Sequence, residues 1–247
     1  MSVEKTPLVS VVVPVRGDST ALAALLAQLP PRDGVEVVVA GTGPADAVQE
    51  RIRAARRDVI WLDSAPGRGL QLNAGAAMAR GAWLWFVHAD SRLPAGWWDA
   101  FATLDADGTA VGGSFAFRLD SPAWPARWLE RGVALRVRFF DLAYGDQGIF
   151  VRRSVFKSLG GFKPWPLMED VEFIRRLKRH GRLEHLSLGL VTSARRWERR
   201  GWARQSAANL VTLGLYGVGV SPERLARRYD RGSTSTKGSS HVDQAGA

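Results

Sequence analysis

Residues 8–15, LVSVVVPV, are a β-branched apolar run with no polar alternation, the pattern of a strand covered on both faces. The period then lengthens. The leucines of DSTALAALLAQLP, 18–30, recur at helical spacing behind Asp18 or Ser19 as a cap, and Pro30 and Pro31 end the helix. VEVVVAG at 35–41 repeats the strand pattern, ADAVQERIRAAR at 45–56 the helical one, and DVIWLDS at 58–64 predicts a third strand. A glycine-led, alanine-rich helix over 67–81 follows, and WLWFV opens a fourth strand over 83–88. This alternation predicts successive right-handed βαβ units, and so an open α/β sheet, Rossmann-like and mostly parallel, flanked by helices. Ligands of such sheets sit outside the carboxyl ends of the strands, which is where His88, Ala89 and Asp90 fall.

Beyond residue 100 the regularity changes. VGGSFAFRL, 111–119, alternates as a strand; 121–140 predicts one or two helices with aromatic faces; 145–162 predicts a strand edge and a short helix stopping at Gly160 and Gly161. MEDVEFIRRLKRHG, 168–181, is a helix with acids in its first turn, bases in its last, and Val171, Ile174 and Leu177 on one side. Ser221 as cap and Pro222 at the first helical position start a last helix over 221–230. Residues 231–247 are expected to be a disordered polar tail after one domain over 1–230, with a ligand-binding half (8–100) and a catalytic half (101–230).

An apolar content of 46% supports a globular core, and the formal charge of +10 suits an acidic partner: nucleic acid, an anionic membrane surface or a phosphorylated substrate. The arginines are scattered from Arg51 to Arg231 and not gathered with exposed aromatics, which argues against nucleic acid. The absence of cysteine excludes disulfides, thiolate metal sites and a cysteine nucleophile, and is compatible with a reducing cytoplasm. The start of the chain does not read as a signal peptide. The weakly polar run at 207–220 is too short for a membrane span and contains three glycines. A soluble cytoplasmic protein is the expectation, with room for peripheral membrane contact or a homodimer; the tryptophan-rich 121–140 stretch and 202–220 could take a lipid-linked or small aromatic acceptor, or equally be core or a dimer face.

Five groups of residues could carry chemistry. Asp90 supplies a hard oxygen ligand suited to magnesium or manganese, ions usually held by one or two carboxylates plus substrate phosphates, and His88, two residues before it, faces the same way in an extended strand; a turn-capping Asp and a core histidine are the competing readings. Glu169 and Asp170 either stabilise a helix start or provide a general base. In TSARRWERRG, 192–201, Arg196 offers a fork for a diphosphate and Trp197 a surface for a sugar, unless the segment is a solvated basic turn. Arg68 adds a cation at a glycine-rich helix start, where free backbone N–H groups favour phosphate. Asp146, between glycines in YGDQGIF, could meet a ligand or close a turn.

In order, VSVVVPVRGD, GRGLQLNAGAAMARG, FVHADSRLP, GDQGIFVRRSVFKSLGGF, MEDVEFIRRL and SARRWERRG resemble the family-two glycosyltransferases, inverting enzymes of the GT-A fold, over residues 8–230. The HAD, GDQGIF, MED and RRW wording is similar to the bacterial subgroup called radical-SAM/selenodomain-associated transferase 2, or arsenosugar-biosynthesis glycosyltransferase. The resemblance implies a nucleotide-diphosphate sugar donor, a divalent cation (Mg2+ or Mn2+), a small-molecule or lipid-linked acceptor, and a helical acceptor-side region at the C-terminal end. It aligns Asp90 with the last acid of the metal motif and His88 with its first, giving His88 and Asp90 as metal residues. It makes Asp170 the base, with Glu169 beside it. Pro14, Val15, Arg16, Arg68, Asn73, His88, Ala89, Asp90, Arg196 and Trp197 are assigned to the donor, and Asp146, Gln147 and Trp197 to the acceptor side. Three positions depart from the family pattern: His88 replaces an acid, Ser193 stands where a glutamine is usual, and Ala40 before GTGPAD replaces an aspartate that contacts the base. The competing reading is a non-catalytic nucleotide-sugar-binding module with a basic docking surface; a nucleotidyltransferase would need a glycine-rich loop near the first strand that this chain lacks.

Overall fold

The computed structural model describes residues 6–17 and 19–234, the side chains of the last five excepted. Seven strands form one sheet: β1 (Val9–Val15), β2 (Val35–Gly41), β3 (Val59–Asp63), β4 (Trp83–Phe86), β5 (Gly112–Leu119), β6 (Phe150–Arg152) and β7 (Leu183–Thr192). Their spatial order is β3-β2-β1-β4-β6-β5-β7. Only β6 runs against its neighbours, β4 and β5; every other pairing is parallel. The sheet grows outward from β1 in both directions, so the carboxyl ends of β1 and β4 flank the switch point where such folds bind ligands.

The helices α1 (Ser19–Ala27), α2 (Ala47–Ala55), α3 (Arg68–Met78) and α4 (Trp97–Asp107) connect the first strands, and α5 (Trp124–Phe140) and α6 (Arg153–Ser158) flank β6. Then come α7 (Glu169–His180), α8 (Arg195–Arg200), α9 (Trp202–Gly217) and α10 (Pro222–Thr234). The apolar runs of the central strands divide by the two-residue period. Val9, Val11, Val13, Trp83 and Trp85 pack with Leu22, Leu25 and Phe101 on one face, while Val12, Leu84 and Phe86 pack with Leu72, Phe156 and Phe173 on the other. Two covered faces explain why WLWF shows no polar alternation.

Buried polar groups lock α3 onto the sheet. Gln71 Nε2 donates to the carbonyls of Val15 (2.8 Å) and Ala40 (2.9 Å), tying the carboxyl ends of β1 and β2 together. Glu36 accepts from Ser10 Oγ, Arg80 N and Arg80 Nε at 2.6, 2.8 and 2.9 Å. At Gly75 a Cβ would come within 2.4 Å of Val12 Cγ1, so the helix lies closer to β1 than any side chain there permits.

The 121–140 stretch is one helix from Trp124, with Pro125 in its first turn. Helix α4 and strand β7 were not predicted. α4 starts from Gly96 at φ 77° without a side-chain cap, and the edge strand β7 is mostly half-buried and pairs with β5 through an irregularity at Phe115 and Ala116. Asp18 lies outside the described residues. Ser19 instead donates to Asp46 Oδ2 at 2.6 Å, and Asp46 Oδ1 caps α2. α10 runs to Thr234, past the expected start of the tail, and 235–247 lie outside the described residues. Among the described residues no helix is long and apolar enough to cross a membrane.

Gly75→Ala is expected to cost about 1–3 kcal/mol of stability through overpacking of α3 against β1, read by urea unfolding; a variant as stable as the parent would contradict this packing.

Candidate active site

Three local features aim the charged groups. Gly67, at φ 135°, precedes Arg68 at the first position of α3, and a Cβ at Gly69 would stand 2.7 Å from the Lys163 carbonyl, so the helix start is pressed against the segment leading to α7. Met168, with φ 67°, turns the chain so that Glu169 and Asp170 open α7 pointing inward. A left-handed conformation is uncommon for a residue other than glycine and costs of order 1 kcal/mol, held here by the packing around it. The 3-10 turn Gly145–Gln147 then presents its first amide to Asp170.

Arg68 is the hub of these elements. Its Nε donates to Glu169 Oε1 at 2.5 Å, its Nη2 to Asp170 Oδ2 at 2.7 Å, and its Nη1 lies 3.2 Å from His88 Nε2. A guanidinium only donates, so His88 Nε2 accepts and the ring proton belongs on Nδ1. Asp170 also accepts from Gly145 N (2.7 Å) and Val171 N (2.8 Å). Glu169 is 2% exposed and Asp170 8%.

This environment separates the protonation states. Burial drives His88 down to about 3, with Arg68 acting in the same direction, so its imidazole is neutral. Burial also raises the Glu169 carboxyl, against Arg68. For Asp170 burial pulls upward too, but Arg68 and the amides of Gly145 and Val171 outweigh it and hold the carboxyl below the usual aspartate range. Asp146 is pushed up to about 6 by burial, with Arg136 opposing and Asp170 reinforcing.

These groups line a cavity of about 500 Å3, within the range of small-ligand sites. Of the sequence-predicted residues it brings together Arg68, His88, Asp90, Asp146, Glu169, Asp170, Arg196 and Trp197. The rest do not line it. Pro14 and Val15 end β1, where the Val15 carbonyl accepts from Gln71, Arg16 follows the strand exposed, and Ala89 packs on the core. Asn73 spends both ends of its amide on the backbone of Phe162, at 2.8 Å each. Gln147 is buried and accepts from Arg136 Nη2 and Tyr144 N at 2.9 and 3.1 Å, which fixes the 3-10 turn.

Sequence reasoning missed the far wall. Tyr144, Asn209 and Thr212 of α9, and Tyr229 of α10 all face the cavity. Arg196 Nη1 donates to Tyr229 Oη at 2.9 Å, so α10 closes against the arginine-tryptophan segment. The run at 207–220, too short for a membrane span, forms most of α9, and in α10 it is Leu225 that is buried. Trp197 is buried against Phe117, and its indole N–H has no acceptor among the described residues.

Residues 10–160 match the family model described as glycosyl transferase family 2. The chain belongs to glycosyl transferase family 2. Among solved structures, the mannosyltransferase PcManGT from Pyrobaculum calidifontis, in complex with GDP-Man and Mn2+, aligns over 95% of this chain and 71% of its own, with a TM-score of 0.64 and 20% identity. S. aureus TarS 1-349 aligns over 95% of this chain and 75% of its own, with a TM-score of 0.58 and 16% identity. A search of curated proteins found no match. The chain is thus a glycosyltransferase, and its sheet and helices are those of the GT-A fold.

In this glycosyltransferase the raised Asp146 carboxyl makes stability depend on pH. Its folded value lies above the unfolded one, so its contribution is present in full below the ordinary aspartate range and is lost as pH rises through about 6. Asp146→Asn removes that loss. Its thermal midpoint relative to the parent should be higher at about pH 8 than at about pH 4, and a difference independent of pH would contradict the burial of this carboxyl.

Proposed function

We propose that this glycosyltransferase moves a sugar from a nucleoside-diphosphate sugar to an acceptor hydroxyl with inversion, Asp170 taking the hydroxyl proton. The observation that carries the reading is the Arg68 bridge: one guanidinium in the cavity contacts the two acids of α7 and the histidine that follows β4. The acceptor oxygen forms a bond to the anomeric carbon as the bond from that carbon to the diphosphate breaks; the electron pair leaves on the phosphate oxygen and the proton passes to Asp170. Arg68 and Arg196 stabilise the charge that develops on the leaving group. A diphosphate also competes with Asp170 for Arg68. Drawing the cation away raises the basicity of Asp170 as the donor seats.

A divalent ion fits the residues present. Among the described residues no cluster of three or more His, Asp or Glu side chains could hold a metal by itself, while Asp90 is exposed at the cavity. One carboxylate together with substrate phosphates and water is how magnesium-like ions are usually held. Asp90 would hold the ion, with His88 beside it held neutral on the Arg68 side. Such an ion supplies Lewis-acid neutralisation of the diphosphate. Support for a nucleotide-sugar donor comes from the fold relatives, one solved with GDP-Man and Mn2+ and another with UDP-GlcNAc. The base and sugar that this chain prefers, and its place in the narrower subgroup whose wording it resembles, are read by screening nucleotide sugars for thermal stabilisation. A non-catalytic module has less support, since acids, arginines and the Asp90 carboxylate share one cavity.

Asp170→Asn is expected to lower the transfer rate by on the order of 10²–10⁴-fold without weakening donor binding, since it removes the carboxylate that competes for Arg68; retained turnover would overturn the assignment of the base. Asp90→Ala should weaken donor binding in manganese and have little effect in chelator, measured calorimetrically, and equal affinities in manganese would remove Asp90 from the metal site.

A further inference from the structure

Helix α5 has two apolar faces. Ala126, Glu130, Val133 and Val137 are buried toward the protein, with Glu130, its sole acid, paired to Arg118 and Arg127. On the opposite side Trp124, Trp128, Leu135 and Phe139 fall within about 60° of arc at 3.6 residues per turn. These four are 74, 63, 54 and 68% exposed. Isolated exposed apolar side chains are ordinary, but a continuous stripe with two tryptophans marks an interaction surface. Arg131 and Arg138 border the stripe on one edge, and the Arg131 guanidinium lies over the Trp128 ring at 5.5 Å.

The neighbouring helix α9, which packs against α5, extends the surface. Leu210 and Val211 are exposed on it and Val218 just past its end, and it contains no acidic residue. Its other side lines the cavity with Asn209 and Thr212.

We infer that the outer faces of α5 and α9 dock the protein on the surface of a bilayer containing anionic lipid. Charge selects this occupant. A second copy placed face to face would set Arg131 and Arg138 against their own images, with no exposed acid on either helix to pair them, on a chain of net charge +10. A bilayer interface meets both requirements, taking tryptophan, leucine and phenylalanine below the headgroups while arginines meet the lipid phosphates.

The full chain should co-sediment with phosphatidylcholine vesicles that contain phosphatidylglycerol, with a blue shift of tryptophan emission, and bind pure phosphatidylcholine far more weakly. The triple variant Trp124→Ala/Trp128→Ala/Phe139→Ala alters exposed side chains outside the cavity, and an unchanged far-UV circular dichroism spectrum verifies its fold. It should lose at least about tenfold in vesicle affinity, and Arg131→Gln/Arg138→Gln should lose the preference for anionic vesicles. Equal vesicle binding by parent and triple variant would overturn the proposal, as would absence of binding by the parent. So would a parent dimer in light scattering that the triple variant dissociates, since a second copy would then be the occupant.

Discussion

The arrangement of the active site depends on one ion-paired contact, the Arg68 guanidinium against Glu169 and Asp170. Two carboxylates buried at the start of one helix repel each other and lose hydration, and removing the single cation between them would leave charge uncompensated in the interior. The contact constrains three parts of the chain at once. α3 must lie close to β1, which Gly75 permits and Gln71 fastens; α7 must turn in through the left-handed Met168; and the Gly145 turn must approach until its amide reaches Asp170. At Gly145 a Cβ would stand 3.0 Å from the Arg68 guanidinium nitrogens, so the turn rests on the cation itself.

His88 takes its character from the same cation. An acid at this position would bring another negative charge to Arg68, whereas the neutral imidazole accepts from Nη1 without altering the charge balance between Arg68 and the two acids. The histidine at this position is therefore matched to the arginine beside it. Asp90, two residues on, is exposed.

Much of this was legible in the sequence because the signals are local. Strand runs at 8–15, 35–41 and 83–88 carry their period within a few residues, and Glu169 and Asp170 announce a helix start. The roles of amides were not legible. Asn73 and Gln147 sit in motifs that face ligands by resemblance, yet each is committed to partners within the protein: Asn73 to the backbone of Phe162, 89 residues away, and Gln147 to the Tyr144 amide and the Arg136 guanidinium nearby. The wall formed by α9 and α10 was hidden for a related reason. Asn209 and Tyr229 gain their place by helix packing, for which neither spacing nor composition in the chain provides a sign.

If Arg68 is shared between Asp170 and the diphosphate, seating the donor frees Asp170. The most direct test is the position of Arg68 in a structure solved with an intact nucleoside-diphosphate sugar and manganese. The guanidinium should then be hydrogen-bonded to the diphosphate, with an Asp170 oxygen open to the cavity. A guanidinium still bridging Glu169 and Asp170, with the diphosphate bound elsewhere, would contradict it.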